Sequence, residues 1–354
     1  MSTQVITIDP HYPELDKIVY AAKVIRQGGL VVFPTETVYG IAADFNNPKS
    51  MARLREVKRR AENKPFSILI AHTSNLPALT SFHNPVLYKM IDQYWPGPLT
   101  VVVPAKEEGQ TVGIRIPDHA VALSMVRESQ SVIAAPSANV EGNTPPRTCQ
   151  EALRDLSGHV ELAIDSGPTK FGQSSSVVDF TATPPKVIRE GVITQSEVDK
   201  IAKLKTILFV CTGNSCRSVM AEYLLKDRLG HRENVEVISA GTGVFIRSGA
   251  SAETIAVLSR EGIDAAFHQS QPVNVVLLKK ADLILVMTKN HRQQILERVP
   301  EVEKRVYLLR EFANIPTGFA VDMDVPDPIG KPAESYEECL YMVKEAVDKI
   351  VKLI

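Results

Sequence analysis

The sequence predicts an α/β fold divided into two domains. Its 354 residues suggest about two domains of roughly 150 residues each. Short apolar runs alternate along the chain with segments whose apolar residues recur at helical spacing, and such alternation is typical of largely parallel sheets covered by helices. A hydrophobic content of 44% with 23% charged residues is that of an ordinary globular protein.

In the first two hundred residues, the pattern predicts two helices and four strands. Residues 13–27 carry apolar side chains at helical spacing and end at Gly28-Gly29, a frequent helix stop. Residues 51–60 form the second predicted helix. The predicted strands are GGLVVFP (28–34), FSILIAH (66–72), LTVVVPA (99–105) and SVIAAP (131–136).

The rest of the chain repeats the alternation. A polar, helix-prone segment, TQSEVDKIAKLK (194–205), separates the two series, so we expect it to be a last helix of the first domain, a linker, or both. We place the domains at 1–198 and 206–354, with a linker at 199–205. The second series consists of strands TILFV (206–210), VEVISA (235–240), ADLILVM (281–287) and KRVYLL (304–309), with helices at 218–229, 251–262, 289–299 and 336–354.

Composition excludes several classes of protein. A net charge of -1 gives no global field toward nucleic acid or membrane. Four cysteines in this length do not make a disulfide framework, so we expect a reducing, cytoplasmic setting. No apolar stretch approaches the roughly 18 residues of a membrane span, and the N-terminal MSTQVITIDP lacks the features of a secretory signal.

The stretch VCTGNSCRS (210–218) has four possible interpretations: a metal site, a disulfide, a buried thiol or a nucleophile. It lies between a predicted strand and a predicted helix, where backbone N–H groups and the helix N-terminus bind anions. Arg217 can hold two phosphate oxygens in a planar fork, and Ser218 can donate a hydrogen bond to a Cys211 thiolate. The spacing of Cys211 and Cys216 is not that of a zinc site. The sequence therefore predicts thiolate attack on a bound phosphate ester.

Residues 206–354 resemble the low-molecular-weight protein tyrosine phosphatases over their full length, through VCTGNSCRS and DVPDPIG (324–330). The resemblance implies a doubly wound parallel sheet and an enzyme without a cofactor. It makes Cys211 the nucleophile, Arg217 the phosphate clamp and Asp327 the general acid, which would later activate water. It also implies that several residues shape the phosphate loop, and that Cys216 forms a reversible disulfide with Cys211. The loop residues are Asn214, Ser215, Cys216 and Ser218, with Ser239 and His268 outside the loop.

The phosphorylated substrate remains open between two side chains. Tyrosine-specific members carry aromatic residues after Asp-Pro, whereas Ile329-Gly330 stand here. Ser215 occupies a position where related protein-arginine phosphatases have a small hydroxyl residue, and such a hydroxyl can bond a guanidinium group. We expect a phosphoprotein substrate, phosphotyrosine first and phosphoarginine as the alternative. Arsenate reduction would need further cysteines, and only Cys339 follows Cys216.

The front half offers polar, proline-bracketed loops at strand ends, where an α/β sheet places its ligand. Lys58, Arg60, Arg115 and Arg189 could gather around an anion, although neither familiar glycine-rich nucleotide loop occurs. Residues 53–64 hold six basic and two acidic residues. Such a run is compatible with a solvated helix face as well as with anion binding.

Residues from about 10 to 195 resemble the YrdC-like threonylcarbamoyl-AMP synthases. The resemblance implies a twisted mixed sheet with helices. The implied reaction condenses L-threonine, bicarbonate and ATP, which carries Mg²⁺, into threonylcarbamoyl-AMP for modification of adenosine 37 in tRNA. The matching motifs are FPTETVYG, the K-x-R of VKRR with KPFSILI, WPGPLT, IRIP, APSAN, SSSVVD and IREG.

By motif position, two groups of residues in this half would hold substrates, with no metal ligand and no nucleophile. Two departures from the family pattern, SSS at 174–176 and a strand 66–72 without an internal histidine, leave a second interpretation open. In that interpretation the domain binds nucleotide or double-stranded RNA, including tRNA, without synthase activity. We expect a bifunctional enzyme that does not bind membranes. The threonine group is Thr35, Arg115 and Ser175, and the ATP group is Lys58, Arg60, Ser137, Asn139 and Arg189.

Overall fold

The computed structural model describes residues 2–62, 64–313 and 323–354. The chain forms two compact units that divide between Ala202 and Lys203, with the short segment His83–Tyr88 grouped with the second unit. We predicted the segment 199–205 as a linker. In the structure, a helix extends to Lys203 and a strand begins at Lys205, so most of this segment belongs to regular secondary structure.

The first part of the chain contains ten strands and seven α-helices within the described residues. The strands are β1 (Gln4–Thr7), β2 (Val31–Phe33), β3 (Gly40–Asp44), β4 (Ser67–Leu69), β5 (Leu99–Pro104), β6 (Thr111–Arg115), β7 (Ile133–Ala134), β8 (Leu162–Asp165), β9 (Ser176–Asp179) and β10 (Lys186–Arg189). The helices are α1 (Leu15–Arg26), α2 (Pro48–Lys58), α3 (Leu76–Leu79), α4 (Pro85–Tyr94), α5 (Ala120–Ser129), α6 (Cys149–Leu156) and α7 (Gln195–Lys203).

These strands form one mixed sheet in the order β1-β8-β2-β3-β7-β4-β6-β5-β9-β10. Five of its pairings are antiparallel and four are parallel. The prediction of a largely parallel sheet is therefore wrong for this unit, while the mixed sheet implied by the resemblance is confirmed. The physical reason is that short connections such as 34–39 and 105–110 can join only antiparallel neighbours, because a parallel pair needs a long crossover.

Helix α2 carries part of the basic run to the edge of a cleft. Asn47 caps its N-terminus by accepting hydrogen bonds from the N–H groups of Lys49 and Ser50, and Pro48 occupies the first turn. The helix ends where Arg59 adopts a left-handed conformation, with φ of 50°. This turn separates Lys58, on the last helical turn, from Arg60 in the following loop.

The second unit contains a four-stranded sheet whose pairings are all parallel. The order β12-β11-β13-β14 confirms the predicted doubly wound sheet and places the chain's crossover point at β11, a usual position for a ligand site. The strands are β11 (Lys205–Cys211), β12 (Val235–Gly241), β13 (Leu283–Val286) and β14 (Val306–Leu308), and the helices are α8 (Arg217–Leu229), α9 (Ala252–Arg260), α10 (Val275–Lys280), α11 (Lys289–Arg298), α12 (Leu309–Phe312) and α13 (Ala333–Ile350).

Burial explains why β11 reads as an uninterrupted apolar run. Its residues Thr206 to Cys211 are all buried, since strands pair with it on both sides and helices cover both faces. Within the described part of the chain, no helix is long and apolar enough to cross a membrane.

Candidate active sites

Cys211 is the last residue of β11 and is only 2% exposed. The loop that follows returns over it before α8 begins at Arg217. The Cys211 Sγ accepts a hydrogen bond from the N–H of Asn214 at 3.2 Å and lies 2.9 Å from the hydroxyl oxygen of Ser218. Both groups can donate to the sulfur, so the loop holds the Cys211 Sγ in a fixed position.

Asn214 fixes the shape of this loop. It adopts a left-handed conformation, with φ of 51°, which asparagine tolerates better than most residues. Its side-chain amide donates to the hydroxyls of Ser218 at 3.1 Å and Ser239 at 2.7 Å. Its backbone carbonyl oxygen lies 2.9 Å from the Nε2 of His268. Because Ser218 accepts from Asn214, its own proton is available to Cys211. Gln271, which sequence reasoning missed, donates its backbone N–H to the Asn214 side chain at 2.9 Å.

Arg217 is buried and only partly satisfied. Its Nη1 donates to the carbonyl oxygen of Val325 at 3.2 Å, and its Nη2 donates to the hydroxyl of Thr212 at 3.4 Å and pairs with the carboxylate of Asp327. Within the part of the chain that the structure describes, the Nε has no hydrogen-bond partner. A buried guanidinium with an unused N–H is costly unless an anion completes it, so the predicted phosphate clamp has an open place for a phosphate oxygen.

Asp327 comes from a loop far along the chain. Its Oδ1 accepts the N–H of Ile329 at 3.2 Å, and its side chain stays 40% exposed while Oδ2 pairs with Arg217. The structure thus brings Cys211, Arg217 and Asp327 into one site. The loop is held in place by the N–H of Val325, which donates to the carbonyl oxygen of Met287 at 2.8 Å.

His291 is a member of this site that sequence reasoning missed. Its Nε2 lies 2.9 Å from the hydroxyl of Thr212, and its Nδ1 lies 2.9 Å from the hydroxyl of Thr288. Burial, and then the nearby charge of Arg217, lower the pKa of His291 to about 4. The only signal in the sequence is a histidine in the polar stretch that follows a buried strand, VMTKNH.

The remaining cysteines are not joined in disulfides. Ser215 lies with its hydroxyl oxygen 3.6 Å from the Sγ of Cys216, whose thiol donates to Ser251 at 3.5 Å. All four cysteines are free and buried, so the disulfide between Cys211 and Cys216 stays a prediction. Burial raises the pKa of Cys339 to about 12, which makes this thiol a poor nucleophile.

In the first unit, the residues predicted to bind threonine and ATP converge on one cleft. Seven of the eight line it, and the eighth, Asn139, contacts it through Lys58. The lining residues were predicted from motifs spread over more than 150 positions of the chain. They are Thr35, Lys58, Arg60, Arg115, Ser137, Ser175 and Arg189.

Lys58 is almost fully buried at the wall of this cleft. Its Nζ donates to the carbonyl oxygens of Ser137 and Asn139, both at 2.6 Å. Burial, followed by repulsion from Arg60, lowers the pKa of Lys58 to about 8. Neutral carbonyl oxygens do not balance its charge, so an anion in the cleft would stabilise the protonated form.

Arg189 and Arg60 add two guanidinium groups to the lining of this cleft. Arg189 donates from Nε to the carbonyl oxygen of Ser175 and from Nη2 to its hydroxyl, both at 3.0 Å. Burial, then repulsion from Arg115 and Arg60, lower the pKa of Arg189. Arg60 pairs with Glu141 through Nη1 at 3.6 Å, while its buried Nε has no hydrogen-bond partner among the described residues. The cleft therefore concentrates positive charge that an oligophosphate could neutralise.

Arg115 forms a buried ion pair that sequence reasoning did not assign. Its Nη2 donates to the Oε1 of Glu36 at 2.7 Å and to the hydroxyl of Thr37 at 2.9 Å, while Nε donates to the carbonyl oxygen of Gly97 at 3.1 Å. Glu36 is 2% exposed, and no described residue forms a hydrogen bond with its Oε2. The signal in the sequence was the polar triplet TET directly after a buried strand.

Thr35 lies at the cleft, but its hydroxyl is already engaged. It donates to the carbonyl oxygen of Val38 at 2.6 Å, and its oxygen accepts the N–H groups of Thr37 and Val38. Since its proton is used, the Thr37 hydroxyl at 2.9 Å must be the donor between the two threonines. These bonds fix the turn after β2, and the assignment of Thr35 to threonine binding stays a prediction.

The basic run at 53–64 serves mainly local structure. Arg53 pairs with Glu161 at 2.9 Å, and Arg55 donates to the carbonyl oxygens of Ala61 and Lys64. Lys64 pairs with Glu141. These contacts favour a helix face occupied by intramolecular partners over a free nucleic-acid surface.

Two family models match the chain. The Sua5/YciO/YrdC model, described as telomere recombination, matches residues 23–191, and the model for low molecular weight phosphotyrosine protein phosphatase matches residues 206–354. The chain is 37% identical to a threonylcarbamoyl-AMP synthase of Pyrococcus abyssi over 193 residues, which cover 52% of this chain and 57% of that protein. The chain thus spans little more than half the length of the curated synthases it first matches.

Relatives of the second half are covered almost completely. A probable low molecular weight protein-tyrosine-phosphatase of Ralstonia nicotianae is 38% identical, with 43% of this chain and 97% of that protein covered. A protein-arginine-phosphatase of Geobacillus stearothermophilus is 36% identical, with 41% and 93% covered. The solved structure of P. abyssi Sua5 complexed with L-threonine matches with a TM-score of 0.54 and 25% identity, covering 86% of this chain and 99% of that one.

Proposed function

The chain belongs to two protein families, joining a Sua5/YciO/YrdC domain to a low-molecular-weight phosphatase domain, and from this premise we propose that it is a bifunctional enzyme. The first domain makes L-threonylcarbamoyl-AMP from L-threonine, bicarbonate and ATP, for modification of adenosine 37 in tRNA. The second hydrolyses phosphorylated protein side chains through a cysteinyl-phosphate intermediate. The observation that supports this best is that each unit brings together the residues that the resemblance to its family assigns to a site.

In the synthase reaction, the chain works by positioning rather than by covalent catalysis. The amine of threonine attacks bicarbonate to give a carbamate and water, and a carbamate oxygen then attacks the α-phosphorus of ATP, so that pyrophosphate leaves. Lys58, Arg60 and Arg189 hold the phosphates and stabilise the charge that develops on them. Arg115, fixed by Glu36, faces the carboxylate of threonine.

Mg²⁺ belongs to this proposal as a companion of the nucleotide. Among the described residues there is no group of three or more His, Cys, Asp or Glu side chains arranged to hold a metal ion, and the side chains at the cleft are mainly cationic. The donor set therefore does not fit a resident Mg²⁺ site. We propose that the ion arrives bound to the triphosphate.

In the phosphatase reaction, the Sγ of Cys211 attacks phosphorus while Arg217 holds two phosphoryl oxygens with Nε and Nη2. The bond to the leaving oxygen or nitrogen breaks, and Asp327 supplies the proton. As a carboxylate, Asp327 then takes a proton from water, which attacks the phosphocysteine and releases inorganic phosphate. Substrate phosphate must first displace Asp327 from Arg217, because both use the same guanidinium edge.

Phosphotyrosine is the first candidate substrate and phosphoarginine the second. Ile329 is 58% exposed and offers an apolar side chain, but no aromatic ring, after the general acid. Ser215 favours the second candidate, because it belongs to the nucleophile loop and, among the described residues, its hydroxyl makes only the long contact to Cys216. Relatives named for each activity have similar identity to this chain, 38% and 36%.

The synthase proposal is tested by measuring pyrophosphate release by the purified full chain. We expect release that requires threonine, bicarbonate and ATP together, that is retained in Cys211→Ser, and that is lost in Lys58→Ala. Two results would instead indicate a module that binds nucleotide, tRNA or other RNA without this chemistry. One is pyrophosphate release that does not depend on threonine, and the other is no release from a protein whose phosphatase activity is intact.

The phosphatase proposal is tested with one phosphotyrosine and one phosphoarginine peptide of matched sequence. We expect turnover that disappears in Cys211→Ser and whose ratio between the two peptides changes in Ser215→Ile. Turnover that survives Cys211→Ser would contradict the cysteinyl-phosphate mechanism. An unchanged ratio in Ser215→Ile would remove Ser215 from substrate selection.

A further inference from the structure

His291 lies next to the phosphate clamp, and its hydrogen bonds within the described residues go to Thr212 and Thr288. It is 3% exposed, at the start of α11, where Thr288 caps the helix by accepting the His291 N–H at 3.3 Å. Its ring connects this cap to Thr212 in the phosphate loop, 79 positions away. A buried imidazole that forms hydrogen bonds with two loops of a site fixes the positions of these loops relative to each other.

One pattern of hydrogen bonds connects His291 to Arg217. A guanidinium can only donate, so the hydroxyl oxygen of Thr212, 3.4 Å from Nη2, accepts. That hydroxyl keeps its own proton, which it can donate to the Nε2 of His291 at 2.9 Å. The network is compatible with the tautomer in which Nδ1 carries the ring proton and donates to Thr288.

The consequence concerns the orientation of Arg217. Its guanidinium is held at Nη1 by the carbonyl oxygen of Val325 and at Nη2 by Thr212, two contacts on different loops. Together they fix the plane of the group and leave Nε free for a ligand. The bond to Asp327 cannot serve this purpose in the reaction, because the substrate phosphate takes its place.

We propose that His291 is a positioning residue of the phosphatase site, which holds the Arg217 guanidinium in its phosphate-binding orientation through the hydroxyl of Thr212. The inference rests on the proposed phosphatase function. The proposal gives a role to a histidine that is neither the nucleophile, nor the phosphate clamp, nor the general acid. A purely structural role would make His291 matter for stability but not for the affinity of a phosphate ion.

The test compares two amide variants of the full chain, with inorganic phosphate as the ligand. His291→Gln places an amide near the position of Nε2 and can still accept from Thr212, whereas His291→Asn reaches only the position of Nδ1. Phosphate binding is measured by isothermal titration calorimetry, which needs no turnover, alongside kcat and KM. We expect about a tenfold loss of phosphate affinity in His291→Asn and a much smaller loss in His291→Gln, since a hydrogen bond to a charged group is worth about this factor or more.

A double-mutant cycle with Thr212→Val makes the assignment specific. Thr212→Val should weaken phosphate binding to the same extent as His291→Asn, and the double variant should be no weaker than either single variant. His231→Asn, at an exposed histidine, is the matched control and should bind as the parent does. If His291→Asn is too unstable to purify, the comparison of Thr212→Val with His291→Gln carries the test.

Two outcomes overturn the inference: unchanged phosphate affinity in both His291→Asn and Thr212→Val, or additive losses in the double variant. The absence of Cys211-dependent turnover in the parent would contradict the proposed phosphatase function instead. Because phosphate binding is measured separately, the two failures are distinguishable.

Discussion

At the scale of single residues, the charge of Lys58 should make the affinity of the cleft in the first unit for ATP depend on pH. Burial and the charge of Arg60 lower its pKa to about 8. In the proposed synthase reaction the triphosphate binds the protonated form, and the free protein loses this proton as pH rises through 8, so ATP should bind less tightly above that pH. We expect the dissociation constant for ATP to rise by roughly tenfold between pH 7 and 9, as measured by calorimetry.

The control for this prediction is Lys58→Arg, because arginine keeps its charge throughout the range. The parent and the variant should therefore differ in the slope of affinity against pH, whatever their affinity at pH 7. Equal slopes would show that another group, and not Lys58, governs the pH dependence.

Asp327 should affect turnover and phosphate binding in opposite directions. In Asp327→Asn the leaving group receives no proton, so kcat should fall by about 10² to 10⁴-fold. The same change removes a carboxylate that competes for Arg217, so inorganic phosphate should bind more tightly. Steady-state kinetics and phosphate inhibition measure the two effects, and weaker inhibition would contradict the ion pair as a competitor of the substrate.

At the scale of elements, Gly241 allows β12 to end directly against the phosphate loop. A Cβ at this position would lie 2.4 Å from the carbonyl oxygen of Thr212 and 2.9 Å from the backbone nitrogen of Asn214. Gly241→Ala must therefore displace the loop, and we expect phosphatase turnover to fall by at least tenfold, with about 1–3 kcal/mol of lost stability.

Gly249→Ala is the matched control in the same unit. There the nearest atom to the added Cβ is the carbonyl oxygen of His268 at 3.8 Å, which is an ordinary contact. Turnover and the unfolding midpoint should stay close to those of the parent. Similar losses in the two variants would mean that the close approach at Gly241 is not what shapes the loop.

Elements also show how far the sequence determines the site. The Cys211 loop was predictable because strand, loop and helix are adjacent in the chain, and local geometry alone places Arg217 near Cys211. The roles of His291 and Glu36 could not be predicted in this way. Each forms its hydrogen bond with a residue about 80 positions away in the chain, and such proximity depends on the order of the strands. The antiparallel β3 was also missed, since GIAAD carries no alternation that would reveal its neighbours.

At the scale of the whole molecule, the two sites are built by different units and should fail independently. Gly191 lies against the backbone of the cleft in the first unit, as Gly241 lies against the phosphate loop in the second unit. A Cβ there would lie 2.3 Å from the carbonyl oxygen of Ser174 and 2.7 Å from the nitrogen of Ser176, so it would move Ser175, the hydrogen-bond partner of Arg189. Gly191→Ala should therefore disturb the cleft of the first unit.

We expect Gly191→Ala in the full chain to reduce threonine-dependent pyrophosphate release by at least tenfold while phosphatase turnover stays within about twofold of the parent; Gly241→Ala should show the reverse. The reason is that the nearest atoms to each added methyl group all belong to its own unit, and substitutions without shared partners act independently. Both activities are measured on the same preparations of each variant. If either variant lost both activities while remaining folded, the two sites would be coupled through the chain, and the independence of the units would be refuted.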